Sequence, residues 1–303
     1  MRSVAYRGQT LLQGRQGDVD LSRFRVFQRQ AGRYDAWFDS EDGKMLFASE
    51  LLCLREVSGD LPRPWLEIGV GTGRFADALG IDIGVDPASG VLPYAKRRGV
   101  RTARALGNAL PFKDGEFGAV FVIVTLCFAD NATQLLREAV RVTRPNGGII
   151  VGVVPAESPW GRFHTSRGKS GHVFYSQAKF YTLEQVRDLA RLAQLPVDRV
   201  VSTLFQRPGQ GPFEIEHPRQ CEDRRAGFVA MLFRRQPQAA DCTTQPSPAN
   251  EGCEPLGPLI CMKENMEIDP DNPRCPYPSS QCRFRELCPV RDAMRSRRKK
   301  SRK

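Results

Sequence analysis

Trp65-Leu66-Glu67-Ile68-Gly69-Val70-Gly71-Thr72-Gly73-Arg74-Phe75-Ala76 is the stretch on which the fold turns. Residues 65–70 (WLEIGV) read as a buried strand and residues 71–80 (GTGRFADALG) as a turn entering a helix. Glycines at this junction let the backbone bend sharply and leave no Cβ in the way of a ligand. The alternation continues outward. Residues 81–86 (IDIGVD) predict a second strand, 87–98 a second helix and 100–106 a short third strand. Residues 117–126 (FGAVFVIVTL) form a long apolar run, 131–142 (NATQLLREAVRV) an amphipathic helix and 147–154 (GGIIVGVV) another strand. Strands that are apolar almost throughout imply a parallel sheet covered on both faces. Upstream, the apolar residues from Tyr34 onward predict one or two helices ending before Pro62 and Pro64. Downstream, residues 157–180 are rich in Gly, Ser, aromatic and basic residues and read as a long loop. Thr182 with Gln185 has the capping-box spacing at the start of a helix over 182–195, and 199–205 and 225–233 read as a final pair of strands.

The glycine spacing and its acids select the ligand. A dinucleotide fingerprint G-x-G-x-x-G would need glycine where Arg74 stands; the third glycine instead comes early, at Gly73. Glu67 lies just before the glycines, where a carboxylate would repel a pyrophosphate but suit a cationic amino-acid group. Asp86 ends the second strand, where a carboxylate can accept from two ribose hydroxyls. A sulfonium, an α-amino group and a ribose are the parts of S-adenosylmethionine (SAM). Gly107-Asn108-Ala109-Leu110 follows the third strand; Asn108 is placed to meet an adenine edge and Leu110 its face, with an ordinary turn as the other reading of Asn108. Pro87 and Thr125 lie at further strand ends, where open α/β sheets bind ligands.

These stretches carry a resemblance. LEIGVGTGRFADAL, IGVDPAS, GNALPFKDGEFGAVFVIVTLCF and LREAVRVTRPNGGIIVGVV resemble the class I SAM-dependent methyltransferases of the UbiE-like, methyltransferase type 11 group, over about residues 34–235. SPWGRFHTSRGKSGHVFYSQAKFYTLEQV resembles a subgroup of small bacterial and archaeal members. The resemblance implies a Rossmann-like α/β fold, a seven-stranded, mostly parallel sheet whose last strand is antiparallel, with helices on both faces. It also implies that Gly69, Gly71 and Gly73 line the methionine moiety, Glu67 its amino group, Asp86 the ribose, and Asn108 with Ala109 the adenine. The sequence departs from the family at Asn108, where Asp is usual.

The expected reaction is methyl transfer from SAM to a small-molecule acceptor, with RNA or protein methylation and a non-catalytic SAM-binding scaffold as alternatives. His164 and His172 have the titration range of a general base, and Tyr175 stands in the same segment; exposed loop residues are the competing reading. Tyr34, Trp37, Trp160 and Phe174 are candidates to enclose the acceptor, or simply to pack their segments down.

The chain of 303 residues has net charge +11 and nine cysteines. The expected organisation is a polar extension over 1–33, the methyltransferase domain over 34–235, a linker over 236–255, a Cys-rich module over 256–290 and a basic tail over 291–303. The basic tail would suit phosphate contacts with RNA, or be merely solvated. Cys261, Cys275, Cys282 and Cys288 are spaced C-x13-C-x6-C-x5-C, unlike a paired zinc knuckle. An iron–sulfur cluster ([4Fe–4S]), zinc and free thiols all remain open; Cys282–Cys288 resembles the cysteine staple of RecB-like nucleases. No run is apolar enough for a transmembrane helix, and no apolar leader opens the chain, so no membrane partner and a reducing, cytoplasmic setting are expected.

Overall fold

The computed structural model describes residues 24–236, together with the backbone of Leu259–Cys261 and Met266–Ile268. By contacts the chain divides into Met1–Thr243 and Thr244–Lys303.

The first unit opens with helices α1 (Arg25–Arg29), α2 (Ala31–Trp37) and α3 (Glu41–Ser58). The α/β alternation follows: β1 (Trp65–Ile68), α4 (Arg74–Leu79), β2 (Ile83–Val85), α5 (Leu92–Arg97), β3 (Arg101–Ala103), β4 (Phe117–Ile123), α6 (Ala132–Val142) and β5 (Thr143–Val153). The chain then forms α7 (Pro159–Lys169), α8 (Leu183–Leu192), β6 (Val197–Thr203) and β7 (Phe228–Arg234). The seven strands lie in the order β3-β2-β1-β4-β5-β7-β6, with β7 antiparallel to both its neighbours. This is the Rossmann-like class I methyltransferase architecture. The strand order reverses between β1 and β4, and open α/β sheets bind ligands at such a switch point, beyond the strands' carboxyl ends.

Alternate residues of β4 explain its apolar run. Val120 and Val122 join one core with Leu135, Leu136 and Ala139 of α6 and Leu183 and Val186 of α8. Ala119, Phe121 and Ile123 join another, with Leu46, Leu54 and Val57 of α3 and Ala76 of α4. A strand buried on both faces cannot show polar alternation. Local signals fix the helix starts. Ser40 Oγ accepts from Gly43 N at 3.1 Å, and Asn131 Oδ1 accepts from Gln134 N at 2.9 Å. Thr182 and Gln185 form the expected capping box.

Two expectations need correction. The segment 157–180 is not a loop: Ser158 caps α7, with Pro159 in its first turn, and Tyr175–Gln177 is a 3-10 turn. Its glycines permit close approach rather than flexibility; a Cβ at Gly161 would lie 2.0 Å from Pro155 O. The helix expected over 87–98 starts only at Leu92, after a turn in which Ala88 N donates to Asp86 Oδ1 at 2.8 Å. The described end of the polar extension forms α1 and the start of α2.

In the second unit, Leu259–Cys261 and Met266–Ile268 pair antiparallel. The side chain of Cys261, the whole of Cys275, Cys282 and Cys288, the linker beyond Gln236 and the basic tail lie outside the described residues. Among the described residues no three His, Cys, Asp or Glu side chains are placed to hold a metal ion, and no helix is long and apolar enough to cross a membrane.

Candidate cofactor and acceptor site

Beyond the carboxyl ends of β1 and β4 the three motif glycines all take left-handed backbone, with φ of 76°, 51° and 83° at Gly69, Gly71 and Gly73. Their reasons differ. A Cβ at Gly69 would stand 2.2 Å from Thr125 Oγ1, and one at Gly73 would stand 2.8 Å from Cα of Ala95, so these two let β1 and α4 pack against their neighbours. A Cβ at Gly71 would meet only Tyr34 Cε1, at 3.6 Å. Gly71 is therefore the glycine of the three with open space beside it.

Two carboxylates flank this turn. Asp86, at the end of β2, accepts from Gly71 N at 3.0 Å and Ala88 N at 2.8 Å. Burial raises its pKa to about 6 against those two N–H groups. Glu67, on β1, is 2% exposed, and its Oε2 has no hydrogen-bond partner. Burial first, and then the neighbouring Asp86, push the Glu67 carboxyl well above the ordinary carboxylate range. A buried acid with a free oxygen is costly unless a donor arrives to use it.

Glu67, Gly69 and Thr72 line a cavity of about 500 Å³. Its remaining walls are largely aromatic and come from distant parts of the chain. Tyr34 and Trp37 come from α2 and Phe38 from its C-cap, Trp160 and His164 from α7, and Phe174, Tyr175 and Phe180 from the segment after it. All three candidate bases and all four candidate acceptor-binding residues thus meet in one space. Val124 and Leu204 also line it, with left-handed φ of 47° and 60°, a strained geometry for side chains with a Cβ. A smaller cleft is lined by Gly69, Pro87, Gly107, Asn108, Thr125 and Phe128 among others.

Not every expected residue joins the site. Leu110 is 7% exposed within the core, and its N donates to Glu138 Oε2 at 2.8 Å, so it is not an open face for a ring to stack on. Ala109 is exposed and lines neither cleft. Trp160 is anchored, its Nε1 donating to Gln206 O at 2.7 Å.

The histidines also differ from expectation. Tyr175 lies between the two imidazoles, with ring centroids 4.2 Å from His164 and 4.5 Å from His172. His164 is buried rather than exposed. Burial, with smaller contributions from Arg167 and His172, lowers its pKa to about 4, and His172 is lowered for the same first reason. Burial raises the Tyr175 hydroxyl to about 12. His164 is therefore neutral at pH 7, but far less basic than its residue type suggests.

Three features of the site escaped the sequence reading. Phe27 of α1 packs edge-on against Tyr34 and Phe128, with centroids 5.6 and 4.9 Å apart. Arg74 binds Asp35 and Asp39, and Arg98 binds both Asp35 and Thr72 O, tying α2 to the glycine turn. Burial alone would raise Asp35, but the two guanidiniums hold it below the usual carboxylate range. Glu50 of α3 lines the cavity on the stripe that holds Leu46, Cys53 and Val57. Its signal was an acid four residues after Leu46, where the helical period calls for an apolar side chain.

The family described as Methyltransferase domain matches residues 66–151. An uncharacterised protein of Mycobacterium tuberculosis is 40% identical over 203 residues, covering 67% of this chain and 71% of that one. An uncharacterised protein of Methanocaldococcus jannaschii is 34% identical over 182 residues, covering 60% and 86%. The crystal structure of a SAM-dependent methyltransferase of Thermotoga maritima, described as a possible histamine N-methyltransferase, superposes with a TM-score of 0.65. It is 34% identical and covers 71% of this chain and 100% of that one. With the sheet order, the glycine turn and its two acids, these likenesses place the chain in the class I SAM-dependent methyltransferases, of the type 11 group.

Proposed function

We propose that the chain methylates a small molecule held in the aromatic cavity, with SAM bound across the glycine turn. The observation that carries this reading is the buried Glu67 Oε2, without a donor, on a residue that lines the aromatic cavity next to the glycine turn, where Gly71 has open space beside it. SAM fits that arrangement: its amino group is the missing donor, and Gly71 leaves room for it.

In this reading Glu67 accepts from the amino group of SAM. Asp86 accepts from the ribose hydroxyls, because a carboxylate has lone pairs to spare after taking Gly71 N and Ala88 N. Pro87, Asn108 and Thr125 line the smaller cleft and meet the adenine. When bound, SAM supplies a methyl group already activated on a sulfonium. The protein's task is then alignment and exclusion of water rather than activation. Tyr34, Trp37 and Phe174 wall the acceptor space, and α2 is held over the turn by Asp35, Arg74 and Arg98. The cavity's size favours a small acceptor; pockets for such ligands run from about 300 to 1,000 Å³. A small amine, as the description of the Thermotoga maritima relative suggests for that protein, falls within this class.

Incubation of the purified chain with methyl-labelled SAM and separate pools of small molecules, RNA and protein tests the acceptor class. Label is expected in the small-molecule pool. Label confined to RNA or protein would contradict the reading, and SAM binding without transfer to any pool would favour the scaffold alternative.

A further inference from the structure

The geometry points to Glu50 as the anchor for a positively charged amine on the methyl acceptor, so that the substrate class is a small, largely apolar amine. This inference rests on the reading that the aromatic cavity is the acceptor site.

Glu50 has no structural partner to explain it. It sits mid-helix on the inward stripe of α3, and among the described residues its carboxylate makes no hydrogen bond or ion pair. The acid is close enough to the Tyr34 and Tyr175 hydroxyls for its charge to help raise both. Neither tyrosine donates to it. Burial alone pushes the Glu50 carboxyl up to about 8, with no cation to oppose the rise. A structural role would supply a partner, because an unpaired buried acid destabilises the fold.

The other charges on the cavity wall are disposed differently. Arg74 is already bound by Asp35 and Asp39. Arg33 and Arg167 line the cavity but are solvent-exposed, whereas Glu50 is half-buried. Glu67 is the other acid, and in the proposed function it is committed to SAM. The cavity wall therefore presents one acid that is uncommitted among the described residues, in a largely aromatic lining; raised to about 8 by burial, it is largely protonated while the cavity is empty and ionises when a cation binds beside it. Aromatic faces attract cations and repel anions. Carboxylate and rings together select an ammonium or a protonated nitrogen heterocycle over a neutral or anionic molecule of the same shape. The bound ammonium N–H would donate to Glu50, and the carboxylate can accept that proton, leaving a neutral amine with a free lone pair.

The test is calorimetric binding to the full chain, first with S-adenosylhomocysteine and then, with that ligand saturating, with three matched probes. These are phenethylamine, 2-phenylethanol and phenylacetate. The amine is expected to bind at least about 10-fold more tightly than the alcohol, with the carboxylate weakest. Glu50→Gln is expected to erase most of that preference, weakening the amine by about 10- to 100-fold while leaving S-adenosylhomocysteine affinity unchanged. Glu50→Leu, which removes all hydrogen bonding, should behave alike and melt no lower than wild type. Equal binding of amine and alcohol, preference for phenylacetate, no amine binding, or a Glu50→Gln variant with the wild-type preference would each overturn the assignment. Failure of the wild-type chain to bind S-adenosylhomocysteine would instead overturn the cofactor reading beneath it.

Discussion

Replacing Glu67 by Gln separates a residue kept for a ligand from one kept for the fold. Glu67 is 2% exposed, its Oε2 has no partner, and burial with Asp86 nearby raises its pKa well above the carboxylate range. Its folded pKa therefore exceeds its unfolded value. The stability it contributes is full below about pH 4, near the unfolded pKa, and is lost as pH rises toward the folded pKa. Gln is nearly isosteric and never ionises, so Glu67→Gln should be at least as stable as wild type in urea at pH 7. Binding should respond in the opposite sense. A hydrogen bond to a charged group is worth about 1.5–3 kcal/mol, so the variant should bind SAM about 10- to 150-fold more weakly. Because burial raises the Glu67 pKa, its ionised form is favoured by the arriving ammonium, so binding should release up to about one proton, and the variant fewer. Calorimetry in two buffers of different ionisation enthalpy measures affinity and proton release together. A variant that loses stability, yet binds SAM with wild-type affinity and proton release, would refute the reasoning.

Gly69 and Gly71 give a contrast. Gly69→Ala combines a contact of 2.2 Å to Thr125 Oγ1 with a φ of 76°, and should cost about 2–5 kcal/mol in urea denaturation. Gly71→Ala meets only Tyr34 at 3.6 Å and should cost about 1–2 kcal/mol, from backbone strain, while still impairing SAM binding. His164, with a folded pKa lowered to about 4, binds its proton at higher pH when unfolded. Stability should therefore fall as pH drops from about 6.5 to 4, by about 3 kcal/mol from this group, and urea melts of His164→Phe should show a shallower fall. Asp35→Ala leaves Arg74 and Arg98 without their shared partner and should speed hydrogen exchange in α2 while weakening SAM binding; unchanged exchange would remove the tether from the account.

The sequence was most legible where one physical constraint governed a run of residues. The strand β4 is apolar throughout, β1 apart from Glu67, and β5 from Gly147 onward, because both sheet faces are covered, and the glycine turn stood out by its spacing between Glu67 and Asp86. The capping box at Thr182 was readable because it is local. Long-range packing was not. Gly161 and Gly168 looked like loop residues, but they are small because Pro155 O and Tyr175 O approach them. Leu110 looked available for stacking, but is drawn into the core beside α6. The histidine titration depended on burial against Tyr175, which no local pattern announces. Glu50 went unread in the sequence, because a single charge on an apolar stripe gains meaning only once the opposite wall of the cavity is known.

The central claim is that the turn between β1 and α4, with Glu67 and Asp86, holds SAM. Calorimetric titration of the wild-type chain and of Asp86→Ala and Asp86→Asn with SAM tests it most directly. The account predicts one SAM per chain, with affinity reduced by about 10-fold or more in Asp86→Ala and less in Asp86→Asn, which keeps one acceptor oxygen. No SAM binding by the folded wild-type chain, or equal affinity in all three proteins, would contradict it.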